Sequence, residues 1–345
     1  MNIFITGGAG FIGINAASYY LNQKHEVTIF DNFSRPGGKK NISWLKENHT
    51  GDIRVIEGDI RSDRKKLAIG VKNADLILHL AGQVAVTSSV IDPITDFETN
   101  ARGTLNILES VRLSGHNPIF IYSSTNKVYG ALEDIAVTES TTRYVFNTLR
   151  FGVAETRGLD FHSPYGCSKG AADQYVRDYS RIYGLNTVVF RQSCIYGPHQ
   201  HGVEDQGWVA WFMIALSQGK QLTIYGNGKQ VRDLLHIDDL LSAYDAAARH
   251  IKTTKGQIYN IGGGPKNTLS IWHEFKPLLE RLYKRTITPK FSDWRPGDQP
   301  IYISDIRKAK KDFHWEPKVS VKQGIENLYS WTEHDYKIYA KTAVL

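Results

Sequence analysis

The sequence has few cysteines and no long apolar run. Only two of its 345 residues are cysteine, Cys167 and Cys194, and neither stands at a spacing typical of zinc ligands. No stretch of about 18 or more apolar residues is present, and no charged segment or cleavage site precedes the first predicted strand. We therefore expect no metal site and no membrane span, and we expect a cytoplasmic protein with reduced cysteines.

The chain also has no concentrated block of charge. Its formal net charge of +7 is spread along the sequence, and basic runs such as Arg64, Lys65 and Lys66 are short. This pattern indicates solvated helix faces rather than a surface that binds nucleic acid, so we expect neither nucleic acid nor a membrane as partner. A basic balance does suit an anionic small molecule.

Short apolar strands alternate with helix-length segments in the first half of the chain. The predicted strands span residues 2–6, 26–31, 53–57, 76–80, 119–123 and 187–191. Such alternation predicts an α/β protein with a doubly wound parallel Rossmann sheet. We assign residues 1–190, with parts of 230–262 returning, to a cofactor lobe. Residues 191–229 and 263–345 form a second, smaller mixed α/β lobe for substrate.

A glycine-rich turn follows the first predicted strand and opens a helix. The spacing of Gly7, Gly10 and Gly13 lets the backbone and a helix N-terminus approach a pyrophosphate. Asp31 ends the next strand, where its carboxylate can accept hydrogen bonds from ribose hydroxyls and would repel a 2′-phosphate. The pattern therefore predicts NAD rather than NADP as cofactor. Arg35 is the one nearby residue that would favour NADP instead.

Tyr165 stands four residues before Lys169, so both side chains share one face of a helix. An ammonium near a phenol favours the phenolate and lowers the phenol pKa from its usual value of about 10, which lets a tyrosine act as acid or base. This spacing occurs by chance on many amphipathic helices. The pair gains meaning only beside the glycine turn, Asp31 and Thr125.

The glycines, Asp31, the Ser123-Ser124-Thr125 strand end and the Tyr165/Lys169 pair resemble the extended short-chain dehydrogenase/reductase superfamily over nearly the whole chain. The resemblance implies that Tyr165 is the acid/base, that Lys169 holds the nicotinamide ribose, and that Thr125 bonds the reacting sugar hydroxyl. It also implies NAD contacts at Gly7, Gly10, Phe11, Ile12, Gly13, Asp31, Asn32, Asp59, Ile60, Leu80, Ala81, Gly82, Asn100, Ser123, Tyr165 and Lys169. Asp59 could instead cap the following helix, and His79 could be a buried, hydrogen-bonded histidine.

Two later segments, residues 225–239 and 295–298, resemble the diphosphate-binding segments of the same superfamily. They imply a nucleotide-diphosphate sugar as substrate. Arg232 and Arg295 would clamp the two phosphates, a role suited to planar guanidinium groups, although surface salt bridges are the alternative. His162 could equally be a packing residue, and Cys167 a small core residue. The implied substrate-binding residues are Thr125, Asn126, His162, Ser163, Arg232, Arg295 and Asp298.

The residues after Thr125 discriminate among sugar reactions. Nucleotide-sugar 4,6-dehydratases carry an acidic pair there, whereas this chain has Asn126 and Lys127, so elimination of water lacks its usual acid and base. Epimerisation by oxidation and re-reduction of one carbon needs only the catalytic trio and NAD. Residues 123–130 and 160–175, with the insertion 131–161, resemble the CDP-paratose (CDP-tyvelose) 2-epimerase family. That resemblance implies inversion of C2 of a CDP-linked 3,6-dideoxyhexose.

Two other functions remain open at this point. A UDP-hexose 4-epimerase would share every catalytic group, and a non-catalytic NAD-binding sensor would share the fold. The intact Thr125, Tyr165 and Lys169 argue against a sensor, which has no need of a tuned phenol. The family resemblance also suggests a homo-oligomer, either a dimer or a tetramer.

Overall fold

The computed structural model describes residues 1–295 and 297–336. Pro296, inside the Arg295–Asp298 motif, and residues 337–345 of the predicted substrate lobe lie outside this part. The strands are β1 (Asn2–Thr6), β2 (Glu26–Asp31), β3 (Ile53–Glu57), β4 (Leu76–His79), β5 (Ile119–Thr125), β6 (Val137–Glu139), β7 (Tyr144–Phe146), β8 (Asn186–Gln192), β9 (Cys194–Tyr196), β10 (Thr223–Tyr225), β11 (Val231–His236), β12 (Gln257–Ile261), β13 (Thr268–Ser270), β14 (Lys290–Ser292) and β15 (Ile301–Tyr302).

The helices fill most of the connections between these strands. They are α1 (Phe11–Asn22), α2 (Gly38–Asn48), α3 (Arg64–Val71), α4 (Val86–Ile91), α5 (Pro93–Phe97), α6 (Gly103–Leu113), α7 (Pro164–Tyr183), α8 (Trp208–Ser217), α9 (Ile237–Arg249), α10 (Ile251–Thr254), α11 (Phe275–Tyr283), α12 (Arg307–Phe313) and α13 (Val321–Trp331). Two π-helical turns cover Glu98–Arg102 and Thr332–Tyr336, and a 3₁₀ turn covers Asn126–Tyr129.

Seven of the strands form a parallel sheet in the order β12-β8-β5-β4-β1-β2-β3. Alternate side chains of each strand point to opposite faces, so Ile3 and Ile5 pack in one core layer and Phe4 in the other. The Rossmann prediction is therefore confirmed. Because β5 and β8 stay paired to Thr125 and Gln192, both strands run past their predicted ends at residues 123 and 191.

A smaller mixed sheet and its own apolar core make up the other part of the fold. In this sheet β11 pairs antiparallel with β13 and parallel with β15 and β9. Its core includes Phe212, Trp272, Phe275 and Leu328. Within residues 230–262, β12 joins the large sheet and α9 packs on α1, whereas β11 belongs to the smaller sheet. The division into lobes at the predicted boundaries stays a prediction.

Candidate active site

The glycine-rich turn lies between β1 and α1 and permits close backbone approach. Gly7 has a φ of +70°, and a Cβ on it would lie 2.6 Å from the backbone nitrogen of Ala81. A Cβ on Gly13 would collide with the Gly7 carbonyl oxygen and lie 2.5 Å from the Gly8 Cα. Glycine is therefore required at position 7 for the turn to lie against the loop after β4, and at position 13 for α1 to start against the turn. Phe11 and Ile12 begin α1 and pack against the core, partly buried.

Asp31 ties this turn to the end of β2. Its Oδ2 accepts a hydrogen bond from the Ala9 backbone N–H at 3.0 Å, and its Oδ1 accepts from the Phe33 N–H at 2.8 Å. Burial raises the pKa of Asp31 against these hydrogen bonds. The carboxylate thus stands beside the glycine turn, where the sequence predicts the adenosine ribose, and Arg35 follows in the next loop.

Asn32 and Asp59 meet at the ends of the neighbouring strands β2 and β3. Asn32 Nδ2 donates to Asp59 Oδ2 at 3.1 Å, and Arg61 pairs with the same carboxylate at 2.8 Å. The Arg61 guanidinium holds the pKa of Asp59 down, at about 2. The side chain of Ile60 is 5% exposed and belongs to the core. The Ile60 side chain is therefore engaged in core packing.

The loop after β4 is held by buried polar side chains. His79 shares hydrogen bonds with Thr6 Oγ1 at 2.7 Å and Thr104 Oγ1 at 2.9 Å, and burial lowers its pKa to about 3. His79 is thus a satisfied core histidine. Asn100 Oδ1 accepts from the Gln83 N–H at 2.9 Å, while its Nδ2 donates to Ser168 Oγ at 3.0 Å. Asn100 therefore joins the loop, which includes Leu80, Ala81 and Gly82, to helix α7.

The three predicted catalytic side chains come together at the carboxyl end of β5. Thr125, Tyr165 and Lys169 are 7%, 7% and 4% exposed. The Lys169 ammonium donates to the Ser123 carbonyl at 2.5 Å and lies 4.4 Å from the centre of the Tyr122 ring. Ser123 Oγ in turn donates to Gln192 Oε1 at 3.0 Å. The strand end and the first turns of α7 thus form one buried polar cluster.

The electrostatics of this cluster differ from the prediction. Burial raises the pKa of Tyr165 to about 12, against the Thr125 hydroxyl and the Arg35 guanidinium, which lower it. Burial also lowers the pKa of Lys169 to about 7, against Asp173 and Asp96, which raise it. The expectation that Lys169 brings the Tyr165 pKa below 10 is therefore wrong for the protein alone, because burial, helped by the Asp96 carboxylate, outweighs the groups that lower the pKa.

Helix α7 begins at Pro164, one residue before the tyrosine, because Ser163 caps it. Ser163 Oγ accepts a hydrogen bond from the Gly166 N–H at 3.1 Å, and Pro164 occupies the first helical position. This cap presents Tyr165 in the first turn. His162 is exposed and pairs with Asp160 at 3.0 Å, and the thiol-bearing Cys167 is exposed rather than a core residue.

Asn126 and Lys127 open the 3₁₀ turn after β5. Thr125 Oγ1 accepts from the Lys127 N–H at 3.2 Å and donates to Asn126 Oδ1 at 3.4 Å. Asn126 is 9% exposed, and its amide oxygen lies beside the Thr125 hydroxyl. Neither side chain is a carboxylate.

The two predicted phosphate-binding arginines each face a carboxylate. Arg232 Nη2 donates to Asp298 Oδ1 at 2.5 Å, and the arginine side chain is 7% exposed. Arg295 pairs with Asp205 at 3.0 Å and lies 3.9 Å from the centre of the Tyr225 ring. The Arg232–Asp298 pair is partly buried, whereas the Arg295–Asp205 pair, with side chains 26% and 50% exposed, is a surface salt bridge of the kind named as the alternative.

Lys127 and Cys194 are absent from the substrate-binding residues predicted from the sequence. Lys127 Nζ lies 3.9 Å from Asp298 Oδ1, and the charge of Arg232 acts on both Lys127 and the Cys194 thiol. Trp208 Nε1 donates to Cys194 Sγ at 3.4 Å. The position of Lys127 directly after Thr125 and Asn126 was the available signal. A cavity of about 350 Å³ adjoins Asp298 between the insertion and the 294–301 segment.

Two absences hold for residues 1–295 and 297–336. No helix there is long and apolar enough to cross a membrane. No group of three or more His, Cys, Asp or Glu side chains in this part of the chain is arranged to hold a metal ion.

Comparison with known proteins places these features in a family context. Residues 4–328 match the GDP-mannose 4,6 dehydratase family model. The chain is 47% identical over 340 residues to the CDP-paratose 2-epimerase of Salmonella typhi, covering 96% of this chain and 99% of that protein. It is 30% identical to a putative UDP-glucose 4-epimerase of Methanocaldococcus jannaschii, covering 96% and 99%.

A solved structure has the same fold over almost its full length. The Bacillus cereus UDP-glucuronic acid 4-epimerase, in complex with UDP-glucuronic acid and NAD, superimposes with a TM-score of 0.82 at 28% identity. The match covers 96% of this chain and 99% of that one. Sequence and structure comparisons thus agree on one family.

Proposed function

The chain belongs to the extended short-chain dehydrogenase/reductase family of nucleotide-sugar enzymes, and we propose that it inverts C2 of a CDP-linked 3,6-dideoxyhexose, CDP-paratose to CDP-tyvelose. One observation carries the assignment to epimerisation: the buried cluster of Thr125, Tyr165 and Lys169 is followed by Asn126 and Lys127 rather than by a pair of acids. The cluster supports transfer of a hydride and a proton at a sugar carbon, and the missing carboxylates disfavour dehydration. The 47% identity to a CDP-paratose 2-epimerase supports the choice of substrate.

The residues present fit NAD as the resident cofactor. The glycine turn keeps a space that a Cβ at Gly7 or Gly13 would fill, and the Asp31 carboxylate lies beside it. These groups would hold the pyrophosphate and the adenosine ribose, and Lys169 the nicotinamide ribose. When bound, NAD supplies a hydride acceptor that later returns the hydride, together with a positive charge that favours the phenolate. None is consumed.

Each catalytic side chain has a role that its position supports. Tyr165 takes the proton of the C2 hydroxyl as the C2–H bond breaks. It returns that proton after the 2-keto sugar has rotated to present its opposite face. Thr125 Oγ1 bonds the same sugar oxygen, which orients the hydroxyl toward the phenol. Lys169, whose Nζ donates to the Ser123 carbonyl and lies 4.4 Å from the centre of the Tyr122 ring, would hold the nicotinamide ribose beside this pair. Return of hydride to the opposite face of C2 completes the inversion.

Rotation of the 2-keto sugar inside the site requires that the diphosphate be bound firmly and the sugar loosely. Arg232 and Arg295 are the guanidinium groups that can supply this hold, since both already bind carboxylates in the protein alone. Asn126 lies beside Thr125 and can bond the sugar, and the exposed His162 and Ser163, a helix cap, stand at the entry to α7. Their substrate contacts remain proposals.

An exposed apolar face supports the proposal that the protein is a homo-oligomer. Val90, Ile91, Ile94 and Phe97 on α4 and α5 are 64%, 86%, 74% and 56% exposed. These short helices pack on α7, which itself exposes Ile182 at 66%. A second copy of the chain would cover such a face with an equivalent one. We expect light scattering after size exclusion to give at least a dimer, and Ile91→Asp to shift it toward monomer.

The test of the proposed reaction uses purified enzyme in deuterated water with a CDP-linked 3,6-dideoxyhexose or with UDP-hexoses. NMR should show inversion at C2 of the CDP-sugar without deuterium at C2, because the migrating hydrogen is carried as hydride rather than released to solvent. Inversion only at C4 of a UDP-sugar would establish the 4-epimerase alternative instead.

A matched pair of tyrosine variants tests the catalytic assignment. Tyr165→Phe removes the proton-transfer group and should lower the rate by at least about a hundredfold, since general acid–base catalysis contributes roughly 10²–10⁴. Tyr175→Phe, on the exposed side of the same helix, should leave the rate unchanged. Both variants should keep NAD. If Tyr165→Phe inverted the sugar at the wild-type rate, the catalytic assignment would be wrong. A wild type that binds NAD but turns over no nucleotide sugar would instead support the sensor alternative.

A further inference from the structure

Lys127 connects the catalytic strand end to the predicted diphosphate site. Its backbone N–H donates to Thr125 Oγ1 at 3.2 Å, so the lysine starts two residues from the catalytic hydroxyl. Its ammonium lies 3.9 Å from Asp298 Oδ1 and 3.4 Å from the Gly297 carbonyl oxygen, to which it donates. The side chain therefore bridges the reacting end of the site and the segment that carries Asp298.

The cluster around Asp298 carries surplus positive charge. Arg232 and Lys127 face the same carboxylate oxygen, at 2.5 Å and 3.9 Å, so two cations share one anion. The side chains of Arg232, Lys127 and Asp298 are 7%, 24% and 21% exposed, which limits screening by water. A partly buried group of side chains with a net charge of +1 favours an anion that can approach both cations.

The chemistry of a pyranose sets where that anion must lie. C2 is bonded to the anomeric carbon, which carries the diphosphate, whereas C4 stands across the ring from it. An enzyme that places C2 beside its catalytic tyrosine must therefore hold the sugar-side phosphate closer to that tyrosine than a 4-epimerase does. Lys127, the residue that follows Asn126, carries a cation that can hold the phosphate in this position.

We propose that the Lys127 ammonium binds the sugar-side phosphate of the substrate together with Arg232, and so brings C2 rather than C4 to Tyr165. The assignment rests on the proposed function, and it adds a residue that determines which carbon reacts. Lys127 occupies the place of one member of the dehydratases' acidic pair. A change from carboxylate to ammonium there replaces proton transfer by phosphate binding.

Binding measurements test this role without turnover. Titration calorimetry of the NAD-bound enzyme would compare the nucleoside diphosphate with the monophosphate, using CDP and CMP, or UDP and UMP if the wild type prefers uridine. Lys127→Met should weaken diphosphate binding roughly ten- to hundredfold, because a hydrogen bond to a charged group is lost, and should leave monophosphate binding unchanged. Lys276→Met, a lysine on α11 that faces Glu280, is the matched control and should change neither.

Two outcomes would overturn the proposal. Unchanged affinity for the diphosphate would show that Lys127 does not bind it. Equal losses for diphosphate and monophosphate would show that the lysine only holds the 297–298 segment. Lys127→Gln, which keeps a polar head group, gives the same comparison should Lys127→Met not fold. Failure of the wild type to invert C2 would refute the proposed function, whereas the diphosphate comparison would still decide the role of Lys127.

Discussion

Loss of the Asp173 carboxylate, on the helix α7 that packs against the large sheet, should be among the most destabilising single changes in that part of the fold. Asp173 on α7 accepts from Arg191 Nε at 2.8 Å, from Arg191 Nη2 at 3.0 Å and from Ser124 Oγ at 2.9 Å. The side chains of Asp173 and Arg191 are 0% and 3% exposed. This network joins α7, β5 and β8, and it therefore fixes Tyr165 and Lys169 relative to Thr125.

The magnitude follows from what Asp173→Ala leaves behind. Arg191 keeps its hydrogen bond to the Tyr129 hydroxyl at 3.0 Å, but its buried charge loses the opposing anion. Breaking a buried ion pair on one side costs about 3–5 kcal/mol, because an uncompensated charge stays in a poorly solvated place. Replacing both partners, with Asp173→Leu and Arg191→Met, should recover most of that loss.

Urea unfolding followed by circular dichroism would measure these free energies. Glu98→Ala, which breaks the exposed Glu98–Arg102 pair, is the control and should cost less than about 1 kcal/mol. A cost below about 1 kcal/mol for Asp173→Ala would refute the reasoning, because it would mean that Arg191 finds water or another anion. A double variant as unstable as Asp173→Ala would refute the claim that the lone charge causes the loss.

Three further predictions concern the cofactor side of the site. Gly13→Ala should abolish co-purification of NAD, since its Cβ would collide with the Gly7 carbonyl oxygen, whereas Gly158→Ala, in open space, should retain it. Asp31→Ala should weaken NAD binding in a fluorescence titration and should reduce the ratio of NAD affinity to NADP affinity. A wild-type protein that binds NAD and NADP equally well would contradict this prediction. Because burial places the Lys169 pKa at about 7 in the folded protein and 10.5 is its ordinary value, the unfolded chain binds more protons between these values. The unfolding free energy of the NAD-free protein should thus rise across that pH range, and Lys169→Met should remove this rise; an unchanged pH profile would show that Lys169 stays charged.

Local spacing was sufficient to predict much of the fold and part of the site. The alternation of short apolar runs with helix-length segments predicts a parallel sheet, and all seven strands of that sheet occur where apolar runs stand. Gly7 and Gly13 are readable from the sequence because the turn itself requires their missing Cβ atoms. Tyr165 and Lys169 are readable because four residues bring two side chains to one face of α7.

Contacts between distant segments were beyond such reasoning. Lys127 and Arg295 meet Asp298 and Asp205 only because loops far apart in the chain pack together, and charge pairs of this kind leave no periodic pattern. The predicted lowering of the Tyr165 pKa was wrong for a related reason, since burial depends on everything that packs around the phenol. Short-range backbone geometry thus specifies the sheet, the glycine turn and the tyrosine-lysine pair. Long-range packing specifies the charge pairs and the solvation of each group, because both depend on which segments exclude water from the site.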